Sequence, residues 1–295
     1  MNYVSVLSPS RAEVVKNIEA ALLDGDTFRK VETGDPDPSS EDIERVIVPF
    51  DNLRRSPIAK LKAFIARLVG EKFTKAVNGN TEIVGLENVL GIEGGALITA
   101  NHYNPTDSTP PRLLAIASGK RKKLHIIVQE KNIFMTGLFG FLMKNCNTHP
   151  VTRNPRYMAK NLRPALKKII DRGSFVLIYP EQEMWWNYKK PRPLRDGAYH
   201  YAAEFGVPII PTFTEMITLP GERDGDGALP VKHVLHVLPP IYPDPEKSVR
   251  ENREIMLAKD LDLKREAYRA CYGEYPSDSF IPERDIAGIA ASTDK

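Results

Sequence analysis

Apolar positions repeat along this chain with two periods, and the change from one to the other marks its organisation. Ile58, Leu61, Phe64, Ile65 and Leu68 recur at three- and four-residue steps, with Phe73 beyond them, which is the spacing of one helical face. Pro57 stands just ahead of them, where a first helical turn accepts proline. A similar pattern runs from Arg11 to Leu23, followed by Gly34-Asp35-Pro36-Asp37-Pro38-Ser39-Ser40, an acidic, turn-rich stretch that reads as a loop or linker. From residue 82 onward short apolar runs take over. Glu82-Ile83-Val84, Ala96 to Ala100, Leu124 to Val128, Phe175 to Tyr179 and Pro208 to Ile210 are expected as strands. Helical patterns start near Ser108 and fill Pro155 to Asp171 and Gly197 to Phe205. A further strand pair is expected in Val231 to Ile241, and a closing helix in Ser248 to Tyr272. Such alternation predicts an α/β fold, a sheet flanked by helices, with an N-terminal helical extension. The expected divisions are an acidic extension over 1–53, a basic amphipathic helix over 54–78, the α/β domain over 79–247 and a C-terminal helical segment and tail over 248–295.

Composition adds class and compartment. With 295 residues, 42% of them hydrophobic, and a mean hydropathy of -0.33, the chain is expected to fold as one large soluble domain with extra segments, which excludes disordered, collagenous and coiled-coil classes. Cys146 and Cys271 lie 125 positions apart without a CxxC neighbour, so neither a disulfide framework nor a zinc knuckle is expected, and the compartment reads as reducing. The N-terminus lacks a basic segment followed by an apolar run, and no stretch approaches the roughly 18 apolar residues of a membrane span. The expected location is cytoplasmic.

The net charge of +3 hides an uneven distribution. Residues 1–53 hold 5 basic and 11 acidic side chains, whereas residues 54–77 hold 7 basic and 1 acidic. The basic block coincides with the amphipathic helix, so that helix reads either as an element attracted to anionic membrane headgroups or as a core-packing helix with a solvated basic face.

Candidate chemistry begins where the apolar run Ala96 to Ala100 enters Asn101-His102-Tyr103-Asn104-Pro105-Thr106-Asp107, after which Ser108-Thr109-Pro110-Pro111 opens a helix with Thr106 or Asp107 expected at its N-cap. A carboxylate at the helix start can turn back to orient one nitrogen of a loop imidazole, leaving the other to accept a proton. His102 and Asp107 would thus form a base and its orienter without a nucleophile of their own, suited to a hydroxyl brought by the substrate. Capping and loop packing would use the same spacing.

Four blocks in order extend the picture. Asn101 to Asp107 resembles the H-x4-D block of the glycerolipid acyltransferases, the lysophosphatidic acid acyltransferase family. Pro150-Val151-Thr152-Arg153 is similar to that family's second block, Tyr179-Pro180-Glu181 to the start of its third, and Val207-Pro208-Ile209-Ile210-Pro211-Thr212 to its fourth. The resemblance covers roughly residues 55–242 and implies transfer of a fatty acyl group from acyl-CoA or acyl carrier protein to the hydroxyl of a lysophospholipid-like acceptor, with neither metal nor bound cofactor. It implies His102 as general base with Asp107, Arg153 on the acceptor phosphate, and Glu181 holding the acceptor or ordering the site. Two departures stand out. Gln182-Glu183-Met184 replaces the family's Gly-Thr-Arg after the third block's glutamate, and Asn147 stands where a glycine is common. Lys189, Lys190, Arg192 or Arg195 are candidate substitutes for the missing arginine, with Arg195-Asp196-Gly197 in the usual basic-to-glycine position. A thioesterase-like hydrolase, with water as acceptor, or a non-catalytic lipid-binding protein would use the same scaffold.

Further segments fit a lipid substrate and an anionic membrane surface as partner. Asn132 to Met143 is nearly uncharged and too short to span a bilayer, so it would line an acyl tunnel, dip into the membrane surface or form a core helix. Trp185, Trp186 and Tyr188 beside Lys189 and Lys190 suit a membrane interface or packing under a loop. Lys120-Arg121-Lys122-Lys123 reads as a solvated turn or a phosphate contact rather than a nucleic-acid site, because no stacking aromatics surround it. His233 and His236, three apart in a strand, would face opposite sides and cannot chelate one metal together. There is no phosphate-binding Gly-Lys-Ser/Thr loop and no G-x-G-x-x-G.

Overall fold

The computed structural model describes residues 7–47, 50, 54–119 and 124–289. Lys120 to Lys123 lies outside them. Among the described residues seven strands form one sheet: β1 Glu82–Val84, β2 Ala96–Thr99, β3 Leu124–Gln129, β4 Thr148–Val151, β5 Phe175–Ile178, β6 Ile209–Thr218 and β7 Val231–Val237, in the order β1-β7-β6-β2-β5-β3-β4. Strands β6, β2, β5, β3 and β4 run parallel, β7 is antiparallel to β6, and β1 is parallel to β7. Central β2 is buried along its whole length, as expected of a parallel strand covered on both faces by helices.

The longer helices among the described residues are α1 Pro9–Leu23, α2 Ser40–Ile47, α3 Pro57–Val77, α4 Thr109–Ala117, α5 Gly137–Asn145, α6 Arg163–Asp171, α7 Gly197–Phe205 and α8 Val249–Tyr272. The helix expected over Pro155 to Asp171 is interrupted: Pro155–Tyr157 makes one α turn and Met158–Leu162 is π-helical before α6 begins. Pro164 has no N–H to return to the Lys160 carbonyl, which loosens the winding there. Strand β6 outruns the expected Pro208 to Ile210 because its buried polar residues pair; Thr212 Oγ1, for one, donates to the Thr99 carbonyl at 2.9 Å. Helix α8 carries a capping box at Ser248 and Glu251 and ends on Gly273 at φ 81°. It is fastened under β2 by a buried cluster in which Lys264 Nζ lies 2.8 Å from Asp260 Oδ1, while Thr99 and Tyr199 both donate to Asp260 Oδ2.

Two apolar clusters dominate the interior. The larger joins the sheet to its flanking helices through residues such as Leu97, Ile98, Leu114, Leu177, Ile210 and Leu235. The second joins Val14, Val15 and Ile18 of α1 to Trp185, Trp186 and Tyr188, and to Ile286 and Ile289 near the other end of the chain. Trp185 is 0% exposed and its Nε1 donates to the Arg29 carbonyl at 3.0 Å. The membrane-interface reading of this tryptophan pair is therefore corrected: burying two indoles against α1 removes them from any surface.

Helix α3 presents the opposite case. It packs inward through Ala66, Gly70 and Thr74, spaced four apart on one face, and a Cβ added at Gly70 would stand 3.0 Å from the Cys146 sulfur. The large apolar residues point away from the body: Ile58 is 68% exposed, Leu61 59%, and Phe64, Ile65 and Leu68 are exposed as well. Arg54, ahead of the helix, donates to the Lys144 and Thr148 carbonyls and is not a free surface charge. On α5 the apolar segment divides, with Ile133 buried before it and Leu138 and Phe139 exposed beside α3, where Phe73 and Phe139 meet edge to face.

Candidate functional site

The carboxyl end of β2 is fixed by Asn101, whose buried side chain donates to the Thr214 carbonyl and accepts from the Thr214 N–H, extending the β2–β6 pairing by a side chain. His102 follows immediately. Its Nδ1 lies 2.5 Å from Asp107 Oδ2, and the same carboxylate accepts the Tyr103 N–H at 3.0 Å and the Tyr179 hydroxyl at 2.7 Å. The Tyr179 ring stacks on the imidazole with centroids 4.1 Å apart. Burial, and then the Asp107 charge, push the Tyr179 hydroxyl well above its ordinary pKa, so it keeps its proton and donates. Asp107 is buried while the imidazole is 22% exposed, an arrangement that holds Nδ1 and leaves part of the ring open to solvent. The expected capping role is not seen: Ser108 occupies the N-cap of α4 without a side-chain bond, and the Asp107 carboxylate turns back into the loop.

Glu181, just beyond β5, reaches the same loop from beneath. Its Oε2 accepts the His102 N–H at 3.2 Å and Arg192 Nη2 at 3.0 Å, and Oε1 accepts the Arg192 N–H at 3.3 Å. Glu181 and Arg192 are both buried, so this carboxylate orders the loop. Arg192 also donates to the Thr27 and Glu183 carbonyls and lies over the Trp185 ring.

The other candidate cations divide in the same way. Lys190 is buried against Asp285 at 2.8 Å, Lys189 donates to the Arg284 carbonyl, and Arg195 is exposed with its guanidinium 3.7 Å from the centre of the Phe28 ring. The Arg195 N–H bonds the Pro180 carbonyl, placing Arg195 beside Glu181, and exposed Gly197 opens α7. Arg153 is exposed past the end of β4, near Glu130 at the end of β3. The strand order separates β4 from β2 by three strand spacings, roughly 14 Å at about 4.8 Å each. His102, Asp107 and Glu181 thus come together, with Arg195 adjacent and Arg153 across the sheet edge. Sequence reasoning missed the parts played by Tyr179 and Arg192, and also that of Arg112 on the first turn of α4, whose charge pulls against the Tyr179 shift.

Both glycine replacements retain a left-handed backbone. Asn147 has φ 56° and Gln182 φ 65°, a region glycine enters freely and Asn more readily than Gln. The altered third block therefore keeps its turn. The N-terminal segment, which carried no chemistry in its sequence pattern, lies against this loop through Thr27, Phe28 and Arg29. Glu32 pairs with Arg11 at 3.0 Å, and burial, despite that cation, pushes its carboxyl up.

A histidine and a carboxylate meet at the carboxyl edge of a parallel sheet, where α/β proteins gather their ligands. The Acyltransferase family pattern matches residues 80–215, a likeness to the glycerolipid acyltransferases. The chain is 27% identical over 172 residues to the chloroplastic 1-acyl-sn-glycerol-3-phosphate acyltransferase BAT2 of Brassica napus, covering 56% of this chain and 44% of that protein, so it spans less than half of that relative's length. Its fold is similar to that of the 1-acyl-sn-glycerophosphate acyltransferase PlsC from Thermotoga maritima, with a TM-score of 0.50 and 17% identity over 88% of this chain and 100% of the other.

Proposed function

We propose that this protein transfers a fatty acyl group from an acyl thioester, carried by coenzyme A or acyl carrier protein, to the hydroxyl of a lysophospholipid-like acceptor. The observation that carries the reading is the His102–Asp107 contact, whose carboxylate is held by two further donors and whose imidazole is part-exposed. Nε2 takes the acceptor proton as the hydroxyl oxygen attacks the thioester carbonyl; Asp107 stabilises the imidazolium; the departing thiolate takes that proton, leaving an ester and a free thiol. Arg153 binds the acceptor phosphate, with Arg195 as a second cation beside Gly197, and Glu181 supports the loop.

The working location is the surface of an anionic membrane, on the cytoplasmic side. The exposed apolar residues of α3, with Lys60, Lys62 and Lys72 exposed among them, favour this reading. Among the described residues no helix is long and apolar enough to cross a membrane. The test is product formation by the purified full chain from acyl-CoA or acyl carrier protein thioesters and a lysophospholipid panel, wild type against His102→Ala. Acyl transfer that falls 10²–10⁴-fold in a folded variant supports the mechanism; near-normal turnover in that variant sinks it, and thioester hydrolysis that ignores acceptor favours a hydrolase.

A further inference from the structure

The β6–β7 hairpin and the last turn of α8 bring together three side chains that acyl transfer does not use. Glu215 pairs in register with Val234, and Phe213 with His236, so Glu215 and His236 are diagonal neighbours on one face of the hairpin. Cys271 reaches them from α8, seven positions beyond Lys264 and on the same side of the helix. His236 Nε2 lies 2.9 Å from Glu215 Oε2 and 3.4 Å from Cys271 Sγ. The three donor atoms all fall within 4.8 Å of one another, and all three residues are half-buried.

We propose that Glu215, His236 and Cys271 bind one zinc-class divalent cation, fastening the end of α8 to the sheet and leaving a fourth position for water. Tetrahedral zinc, with bonds of about 2.0–2.3 Å, separates its N, O and S ligands by about 3.4–3.6 Å, so these side chains need only small rotations to receive it. The convergence is specific. In a Cys–His–carboxylate relay the imidazole bridges its partners through its two different nitrogens; here carboxylate and thiol approach the same nitrogen, as ligands around a common centre do. Imidazole, thiolate and carboxylate together suit zinc rather than magnesium or calcium. Cation binding releases the thiol proton, and the dication then balances one thiolate and one carboxylate, so the half-buried site becomes neutral. His233, three residues earlier on β7, lies instead against Tyr103, with ring centroids 5.3 Å apart. The cation is accordingly structural and separate from the His102 site.

The test uses the full chain, stripped with chelator and titrated with zinc against a chromophoric competitor, and separately with cobalt(II). One equivalent is expected, with a thiolate-to-cobalt charge-transfer band, the strong visible absorption of tetrahedral cobalt, and a zinc-dependent rise in Tm. Cys271→Ser and His236→Gln should each weaken binding at least about 10-fold and abolish the Tm response, while Cys146→Ser retains both. Absence of stoichiometric binding, a cobalt complex without the thiolate band, or undiminished binding in Cys271→Ser overturns the proposal. The spectrum of the wild-type protein decides the matter even where a variant folds poorly.

Discussion

Arg192 Nη2 stands 3.0 Å from Glu181 Oε2, both side chains buried, and the same oxygen accepts the His102 N–H. Arg192, one candidate for the family's phosphate-facing arginine, is thus directed inward, where it sets the loop that carries His102.

Arg192→Met should therefore act on stability first, because removing one member of a buried pair strands the other; about 3–5 kcal/mol is the usual cost. Chemical denaturation and single-turnover kinetics should both show loss, and the double variant Arg192→Met with Glu181→Leu should recover stability without activity. A phosphate-binding role would instead leave the unfolding midpoint unchanged and raise only the acceptor KM.

Arg153 is expected to behave in that second way. It is exposed at the sheet edge, so Arg153→Ala should leave Tm within a degree or two, the usual insensitivity of surface substitutions, while raising acceptor KM well above any change in donor KM. Equal changes in both constants would assign the arginine to structure. A neutral lipid hydroxyl proving the better acceptor would remove the phosphate contact altogether.

Replacing Lys60, Lys62, Arg67 and Lys72 by Glu should abolish co-sedimentation with anionic vesicles and activity on bilayer acceptor, yet spare a short-chain soluble acceptor. Each cation near such a surface contributes at most about 1 kcal/mol, and wild-type binding should weaken with salt as the Debye length shortens to about 8 Å at physiological ionic strength. Replacing Leu61 and Leu68 by Ser should weaken binding while leaving its salt dependence in place. Unchanged vesicle binding in both variants would move the docking surface elsewhere.

Stability should fall on acidification below about pH 6.5. Burial, with His125 and Arg54 beside it, holds the His149 pKa well below its ordinary 6.5, and burial lowers His233 likewise despite Asp107. Protons are then taken up by the unfolded chain first, so the folded state is fully favoured above about 6.5 and loses ground as pH falls towards the lowered values, by up to about 1.4 kcal/mol per pH unit for each group. Denaturant midpoints at pH 7.5 and 5.5 measure the slope, and His149→Gln should flatten it. An unchanged slope in that variant would transfer the effect to other groups.

The parts legible in the sequence were those with local signatures. Buried β2 showed as an unbroken apolar run, α3 as a periodic face, and the His102 to Asp107 loop as a strand running into a helix start. The missed parts depend on residues far apart in the chain. Nothing near Trp185 signals that Val14 and Ile286 will cover it, and a tryptophan pair beside lysines has the same local pattern whether it lies at a membrane or under a helix. Gln182 showed the converse limit: it stands where the family has glycine, and its backbone keeps φ 65° regardless. At α3 the pattern identified the apolar face correctly, but only packing determined that its small residues, Ala66, Gly70 and Thr74, face inward.

The loop that orders the site is clasped from both directions: Thr27 and Arg29 supply carbonyls to Arg192 and Trp185, and the Asn187 carbonyl accepts the Ala287 N–H at 2.9 Å. During synthesis the strands and His102 are made well before that second clasp exists. A nascent chain that stops short of residue 287 holds His102 and its strand without the second clasp on the loop beside them, so this part of the fold closes late in translation.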